Sequence, residues 1–388
     1  MEQKLRILIV HNRYQVPGGE DTVVKNEMNM LKEHGHTVFL YERNNSELNE
    51  FNLIQKLCLP FTMIYSLKTL RDIKKLILDK QIDLVHVHNT LLLVSPSVYY
   101  ICKKMNVPVV QTVHNFRFIC PNALLYRDGH ICEDCLSKGL SCAIKHNCYR
   151  GSKLQTLACV ISMWIHRRTG IYSYLHYICL TEFNKQKLLT LDGIHESKVF
   201  IKPNFFDNTV FEEDCIKNRY IYAGRLDSTK GIVFLFEAWI SMGSNAPKLI
   251  VYGNGPEKEW CKQQILDYKL PIKMMGQADH IAVIEEMKKS KALVMPTRWY
   301  EGFPMVIAEA YSVGLPVIAS NIGNTGCIVI DGQTGWTFSP DDMNEFKQAL
   351  QKTLPDRKKV WDYYKKHYTK AINYQHLIDI YHKVLSDE

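Results

Sequence analysis

Arg298-Trp-Tyr-Glu-Gly-Phe-Pro-Met-Val-Ile-Ala-Glu309 carries two carboxylates, Glu301 and Glu309, eight residues apart, with Gly302 and Pro304 between them. A glycine with a proline two residues on predicts a loop that turns into a helix. Pro304 suits the first helical position, because its ring presets φ and the amide proton it lacks has no partner in a first turn. Met305 and Val306 follow with free backbone N–H groups. Those donors and the positive end of the helix dipole form a place for phosphate. Glu301 in the loop is placed to accept hydrogen bonds from sugar hydroxyls beyond the phosphate, and Glu309, in the second turn, from hydroxyls on the nucleoside side. One helix start thus offers a grip on both halves of a nucleotide sugar.

Downstream, Tyr311-Ser-Val-Gly-Leu-Pro-Val-Ile-Ala-Ser320 reads as a helix end at Gly314 and then a buried strand. Another strand and turn are expected in Gly326-Cys-Ile-Val-Ile-Asp-Gly-Gln-Thr-Gly-Trp336. The carboxylate-x7-carboxylate spacing with Gly-Phe-Pro after the first glutamate, in this context, resembles the retaining glycosyltransferases of family four, and the resemblance extends over nearly the whole chain. It implies an α/β protein of the GT-B fold: two Rossmann-like domains whose parallel sheets face a central cleft.

The rest of the chain agrees with that class. Its 388 residues are too many for one ordinary core and suit two domains. Composition is globular, with 46% hydrophobic and 23% charged residues, and the net charge of +8 favours anionic partners without choosing among them. No signal peptide and no apolar run of membrane-spanning length is apparent, so a cytoplasmic protein with mostly reduced cysteines is expected, placed at the inner face of the membrane by the basic helices described below. Strands and helices alternate, the pattern of parallel sheets. Strands are expected at 5–10, 37–41, 83–88, 107–114 and 177–181, then at 220–223, 249–252, 272–275, 293–295 and 317–319. A first helix bearing Val24, Met28 and Leu31 stops at Gly35, and a later one covers 281–289. The linker is placed at 203–217, where Asn204, Asp207, Asn208 and the cluster from Glu212 to Asp214 interrupt the apolar pattern. The domains are then 1–205, with a cysteine-rich insert at 120–148, and 206–365. By analogy with the fold, a terminal helix over 366–388 packs back on the first domain.

Pro17-Gly-Gly-Glu20 opens the first helix, where Gly18 and Gly19 let a phosphate-bearing ligand approach the backbone, although the full dinucleotide fingerprint is missing. Tyr222-Ala-Gly-Arg-Leu-Asp-Ser-Thr-Lys-Gly231 sets Arg225 and Lys230 at the carboxyl end of a strand. A surface ion pair of Arg225 with Asp227 is the plainer reading; matched to the family, Arg225 and Lys230 clamp the donor diphosphate and stabilise the leaving group. Gly253, Gly276 and Gln277 end two further strands and resemble the family's turns beside the nucleotide base. The resemblance assigns Gly302, Phe303, Pro304, Met305, Val306 and Glu309 to the donor, and His114, which closes a strand of the first domain, to the transferred sugar beside Glu301. His86 and His88 share one face of the neighbouring strand. With no nearby carboxylate in the sequence and no catalytic metal in the family, they read as structural.

Five cysteines fall between Cys120 and Cys148, with a C-x2-C core at Cys132 and Cys135. In a reduced compartment this spacing suits a tetrahedral structural zinc on Cys120, Cys132, Cys135 and Cys148, with Cys142, His130 and His146 as alternatives. Residues 51–78 and 153–177 read as basic amphipathic helices, which either pack on their own sheet or lie on an anionic bilayer; two in one domain favour peripheral membrane contact. The expected activity is transfer of a sugar from a nucleoside diphosphate donor, of UDP or GDP type, to a glycan or lipid-linked acceptor in cell-surface polysaccharide synthesis, with no nucleic acid partner. A different nucleotide-sugar enzyme such as an epimerase, or a non-catalytic scaffold, are the alternatives.

Overall fold

Two six-stranded parallel sheets organise the chain. The structure, a computed structural model, describes residues 4–15, 18–207, 211 and 217–387. In the first half lie β1 (Arg6–Arg13), β2 (Thr37–Asn44), β3 (Leu84–Val87), β4 (Val109–Val113), the hairpin of β5 (Tyr126–Arg127) and β6 (His130–Ile131), β7 (His176–Cys179) and β8 (Val199–Ile201). The second half has β9 (Arg219–Ala223), β10 (Lys248–Tyr252), β11 (Ile272–Gly276), β12 (Leu293–Met295), β13 (Val317–Ser320) and β14 (Gly335–Phe338). The first sheet runs β2-β1-β3-β4-β7-β8 and the second β11-β10-β9-β12-β13-β14. Such doubly wound sheets cover both faces with helices, which explains why β3, β4 and β7 are buried along their whole length.

Each order reverses direction once, between β1 and β3 in the first sheet and between β9 and β12 in the second. At these points loops leave adjacent strands towards opposite faces and open a crevice beyond the carboxyl ends of the strands. The chain divides into two compact units: Met1–Leu125 with Cys132–Lys202 and Tyr374–Glu388, and Pro203–Asn373 with the hairpin Tyr126–Ile131. The interruption of the apolar pattern therefore falls just past the boundary; Asn208 and the cluster from Glu212 to Asp214 lie outside the described residues. The second core gathers Phe234, Phe236, Trp239, Phe338 and Phe346. Trp239 is fully buried and donates its indole N–H to the Pro247 carbonyl at 2.7 Å, so its ring is sequestered without an unmet donor.

One expected strand is not there. Residues around Cys327 belong to a helix, Gly323–Ile328, and pairing resumes only at Gly335. A short apolar run has no decisive period, and here Ile328 and Val329 reach the core from a helix end. Gly335 marks the true strand start: a Cβ there would meet the Val317 carbonyl oxygen at 1.8 Å, so only glycine lets β14 approach β13. Residues 359–385 form two helices, Arg357–His367 and Lys370–Ser386.

Candidate active site

Lys230 and Glu301 meet at the switch point of the second sheet. Asp227, which follows β9, caps a 3-10 turn, Ser228–Lys230, by accepting from the Thr229 N–H at 2.9 Å. Gly231 then adopts φ +73°, and a Cβ on it would sit 1.7 Å from the Pro296 carbonyl oxygen beyond β12. This contact draws the β9 loop against the β12 loop. It delivers Lys230 Nζ to both oxygens of Glu301, at 2.7 and 2.8 Å. The same carboxylate accepts from Trp299 Nε1 at 2.8 Å and Thr297 Oγ1 at 3.1 Å, and it is 6% exposed. Lys230 lies over the Trp299 ring at 5.1 Å, a cation–π contact that fixes its approach. Glu301 is thus a preorganised carboxylate whose neighbour is a cation still 27% open to solvent.

The helix expected after the loop is Met305–Ser312. Pro304 is its N-cap, at φ −73° and ψ 100°, and Met305 is the first helical residue, one position later than expected. The missing amide proton suits either place, and the extended ψ decides for the cap. No side chain caps this end; the Ile307 N–H turns to the Pro304 carbonyl at 3.0 Å, and the N–H groups of Met305 and Val306 are the ones placed to meet an anion. The turn before it is held by Asn324, whose Nδ2 donates to the carbonyls of Glu301 and of Gly302, the latter at 2.6 Å. Phe303 packs at 5.9 Å from the Tyr368 ring.

Beside this helix start is a crevice of about 450 Å3 lined by Gly224, Arg225, Gly253, Gln277, Val306 and Glu309. Gly253, at φ +136°, is required there, because a Cβ would strike the Gly224 carbonyl oxygen at 1.9 Å. Gly276, at φ +72°, has open space around it. Arg225 is 68% exposed and 3.5 Å from Asp227, the ion pair anticipated as its plainer role, with its guanidinium still accessible from the crevice. Glu309 pairs with His280 Nε2 at 3.0 Å, and the contact with that carboxylate raises the imidazole above its ordinary range.

In the first unit, His114 follows β4 and its Nε2 lies 2.9 Å from His88 Nδ1. Both line a small pocket of about 60 Å3 with Asn89, Gln111, Asn115 and Arg117. Burial pushes His114 down to about 3, so it is a neutral hydrogen-bonding group. Behind them, His86 bonds Tyr381 of the terminal helix and Thr112, each at 2.7 Å. Contrary to the sequence reading, a carboxylate does approach the His86 and His88 pair. Glu27, on the buried face of the first helix, has an oxygen 3.4 Å from His88 Nε2, and among the described residues this trio is the one whose ligand atoms all lie within 4.8 Å. Lys202 occupies its other oxygen at 2.5 Å. Burial raises the Glu27 carboxyl, but Lys202 and His86 outweigh it and hold it low, so a buried ion pair accounts for the cluster.

Gly18 caps the first helix, Gly19–Glu33, with open space at both glycines, and Pro17 lies outside the described residues. Next to them, burial followed by the Asp21 charge pushes Glu20 up to about 8. The cysteines of 120–148 are free thiols in the first unit. Neither Asn324, His280 nor Glu27 was singled out by sequence, because each acts through a partner distant along the chain; Glu20, beside Gly19, carried only a local signal.

The description "Glycosyltransferase Family 4" matches residues 17–210, and "Glycosyl transferases group 1" matches residues 206–371. The chain belongs to glycosyltransferase family 4. A glycogen synthase of Mycobacterium tuberculosis is 31% identical over 140 residues, a match spanning 35% of this chain and about a third, 34%, of that enzyme's length. The UDP-Gal:alpha-D-GlcNAc-diphosphoundecaprenol alpha-1,3-galactosyltransferase of Escherichia coli is 24% identical over 78% of this chain and 74% of its own. Among solved structures, Anabaena HepE in complex with UDP and glucose superposes with a TM-score of 0.64 at 16% identity, covering 98% of this chain and 100% of that one. Such likeness establishes a GT-B glycosyltransferase fold.

Proposed function

We propose that this glycosyltransferase is a retaining hexosyltransferase that moves a sugar from a UDP-type donor to a glycan or lipid-linked acceptor in cell-surface polysaccharide synthesis. The observation that carries the reading is the Lys230–Glu301 pair beside the uncapped helix start at Met305. Without a donor, Glu301 neutralises Lys230. A diphosphate entering the crevice presents oxygens to Lys230, Arg225 and the N–H groups of Met305 and Val306, and Lys230 is then shared between two anions while Glu301 turns its free lone pairs to sugar hydroxyls. Glu309 and His280 stand on the nucleoside side. His114 takes the role that the family gives its strand-end histidine, a contact to the transferred sugar, and its neutrality suits a hydroxyl partner.

The chemistry is displacement on the front face of the anomeric carbon. The bond from that carbon to the diphosphate oxygen breaks, the acceptor oxygen bonds on the same side, and the acceptor proton passes to the departing phosphate. The cations stabilise the charge that develops on the leaving group. No metal ion is invoked, since two cationic side chains and a helix start serve the diphosphate. The E. coli relative's name and the Anabaena complex favour UDP. Thermal shift with UDP, GDP and ADP sugars tests this: UDP sugars should raise the melting temperature most. A response to GDP sugars alone would contradict the donor class.

A second observation favours a lipid-linked acceptor. In the helix Leu53–Ile64, Leu53, Ile54, Leu57 and Phe61 are each at least 73% exposed, and Lys56 is the helix's one charge. The helix Lys153–Arg168 packs against it, exposes Leu154 and Trp164, and contains no acidic residue. Among the described residues no helix is long and apolar enough to cross a membrane. Exposed apolar side chains on two helices that carry basic and no acidic residues are suited to lie in the headgroup layer of an anionic bilayer.

A further inference from the structure

The crevice beside Met305 is lined in part by the start of the helix His280–Lys289. Asp279 caps that helix by accepting from the Ala282 N–H at 2.7 Å, which fixes where His280 leaves the backbone. Glu309 belongs to the helix Met305–Ser312, and the two helices come close enough to set His280 Nε2 at 3.0 Å from Glu309 Oε1. The Phe206 ring lies next to the imidazole, with centroids 5.2 Å apart and planes at 47°. Phe206 is held at both of its backbone groups, donating to the Tyr368 carbonyl at 3.1 Å and accepting from the Tyr364 hydroxyl at 2.7 Å. His280 is therefore placed by a fixed ring and a carboxylate, yet it stays 51% exposed, and Val283 and Val306 give the crevice an apolar lining beside it.

Glu309 poses an electrostatic problem for an anionic ligand. Under the reading proposed above, on which this inference rests, a nucleoside diphosphate sugar enters the crevice and presents its ribose to Glu309. A bare carboxylate there would repel the diphosphate. The contact with Glu309 raises His280 above its ordinary range, burial opposes the rise, and Asp279 adds to it. These two carboxylates, one on the neighbouring helix and one capping its own, are the charged groups that act on the imidazole; Phe206 brings no charge, and Arg225, which lines the same crevice, keeps its charge throughout. With its proton, the imidazolium cancels the Glu309 charge and occupies one oxygen, which leaves the other for a ribose hydroxyl. Without it, the neutral ring in its Nε2–H tautomer still donates to Glu309, so deprotonation removes a charge and not the contact.

We propose that His280 is a positioning residue of the donor site: its imidazolium holds Glu309 towards the ribose and offsets the negative charge that the donor meets, so donor affinity falls when the proton leaves. By linkage, the donor anion favours the charged ring. Binding therefore takes up a proton wherever the free ring is partly neutral, and the affinity it contributes is present at low pH and lost as pH rises through the titration of the imidazole. A half-exposed pair is screened by water, and its charge is worth about two- to fivefold in affinity. His280 stands on the nucleoside side, away from the reacting carbon, so its effect falls mainly on KM.

The test is the affinity of the full chain for UDP-glucose, whose phosphates do not titrate near neutrality, measured by calorimetry from about pH 6 to about pH 9. The wild type should bind about two- to fivefold more weakly at the upper end, with a heat that varies with the ionisation enthalpy of the buffer as a proton is taken up. His280→Gln should bind at every pH as weakly as the wild type does at high pH, and the loss should appear in KM with a smaller change in kcat. His280→Lys, which keeps a cation across this range, should hold the low-pH affinity throughout. If a variant does not fold, the wild-type pH profile and proton uptake still decide. A folded wild type that binds no UDP-glucose would sink the donor reading together with this role. UDP-glucose binding whose affinity stays constant over the range without proton uptake, or a His280→Gln protein that keeps the wild-type pH dependence, would overturn the role of His280 and leave the donor reading standing.

Discussion

Replacing Lys230 by alanine removes the cation from a carboxylate that is 6% exposed and leaves Glu301 with two neutral donors, Trp299 and Thr297. Two effects follow. Glu301 loses the stronger part of its hydrogen-bonding and becomes free to turn, and the diphosphate loses a cation. A hydrogen bond to a charged group contributes about 1.5–3 kcal/mol, and a donor aimed at a leaving-group charge is at the upper end. Turnover should therefore fall by about ten- to a hundredfold or more. Lys230 is partly open to water, so the cost to folding should be smaller than the cost to catalysis, and far-ultraviolet circular dichroism should not change. The assay is UDP release from a UDP-hexose with acceptor, read alongside UDP affinity. Glu301→Ala should be at least about tenfold slower, and the double variant should be less impaired than the product of the singles, because the pair acts as a unit. A folded Lys230→Ala protein with near-normal turnover would refute the assignment.

Burial lowers His86 to about 4 and His114 to about 3, with His88 also held well below its ordinary value. Unfolded histidines titrate near 6.5, so the unfolded chain binds more protons below that pH, and stability should fall as pH drops from about 6.5 towards 4. A melting temperature constant across that window would contradict the neutral histidine stack. Lys202→Met strands Glu27, buried with it to 1% exposure or less, and should cost about 3–5 kcal/mol in urea unfolding; a smaller loss than about 1 kcal/mol would show that the pair is not holding the first unit. Membrane contact should appear as sedimentation with phosphatidylglycerol vesicles that Leu57→Ser with Phe61→Ser abolishes while UDP-sugar binding persists. Equal binding by that variant would exclude the helix Leu53–Ile64.

Regular alternation made the sheets legible, because parallel strands buried on both faces are continuous apolar runs. Local chemistry made Gly302, Pro304 and the two glutamates legible, because a helix start is encoded within a few residues. What escaped depends on tertiary approach. Asn324 reaches back to the Glu301 turn from a different helix, His280 finds Glu309 on another helix, and Glu27 meets Lys202 from 175 residues away in the chain. The apolar run ending at Ile330 was ambiguous for a related reason: only the close approach of Gly335 to β13 decides where pairing begins.

The most direct test of the central claim is the configuration of the product. With a UDP-hexose of known anomeric form and a matched acceptor, the proton coupling constant at the newly linked carbon reports the outcome. Front-face displacement held by Lys230, Arg225 and Glu301 predicts the donor's own configuration in the product. A product with the opposite configuration would contradict it.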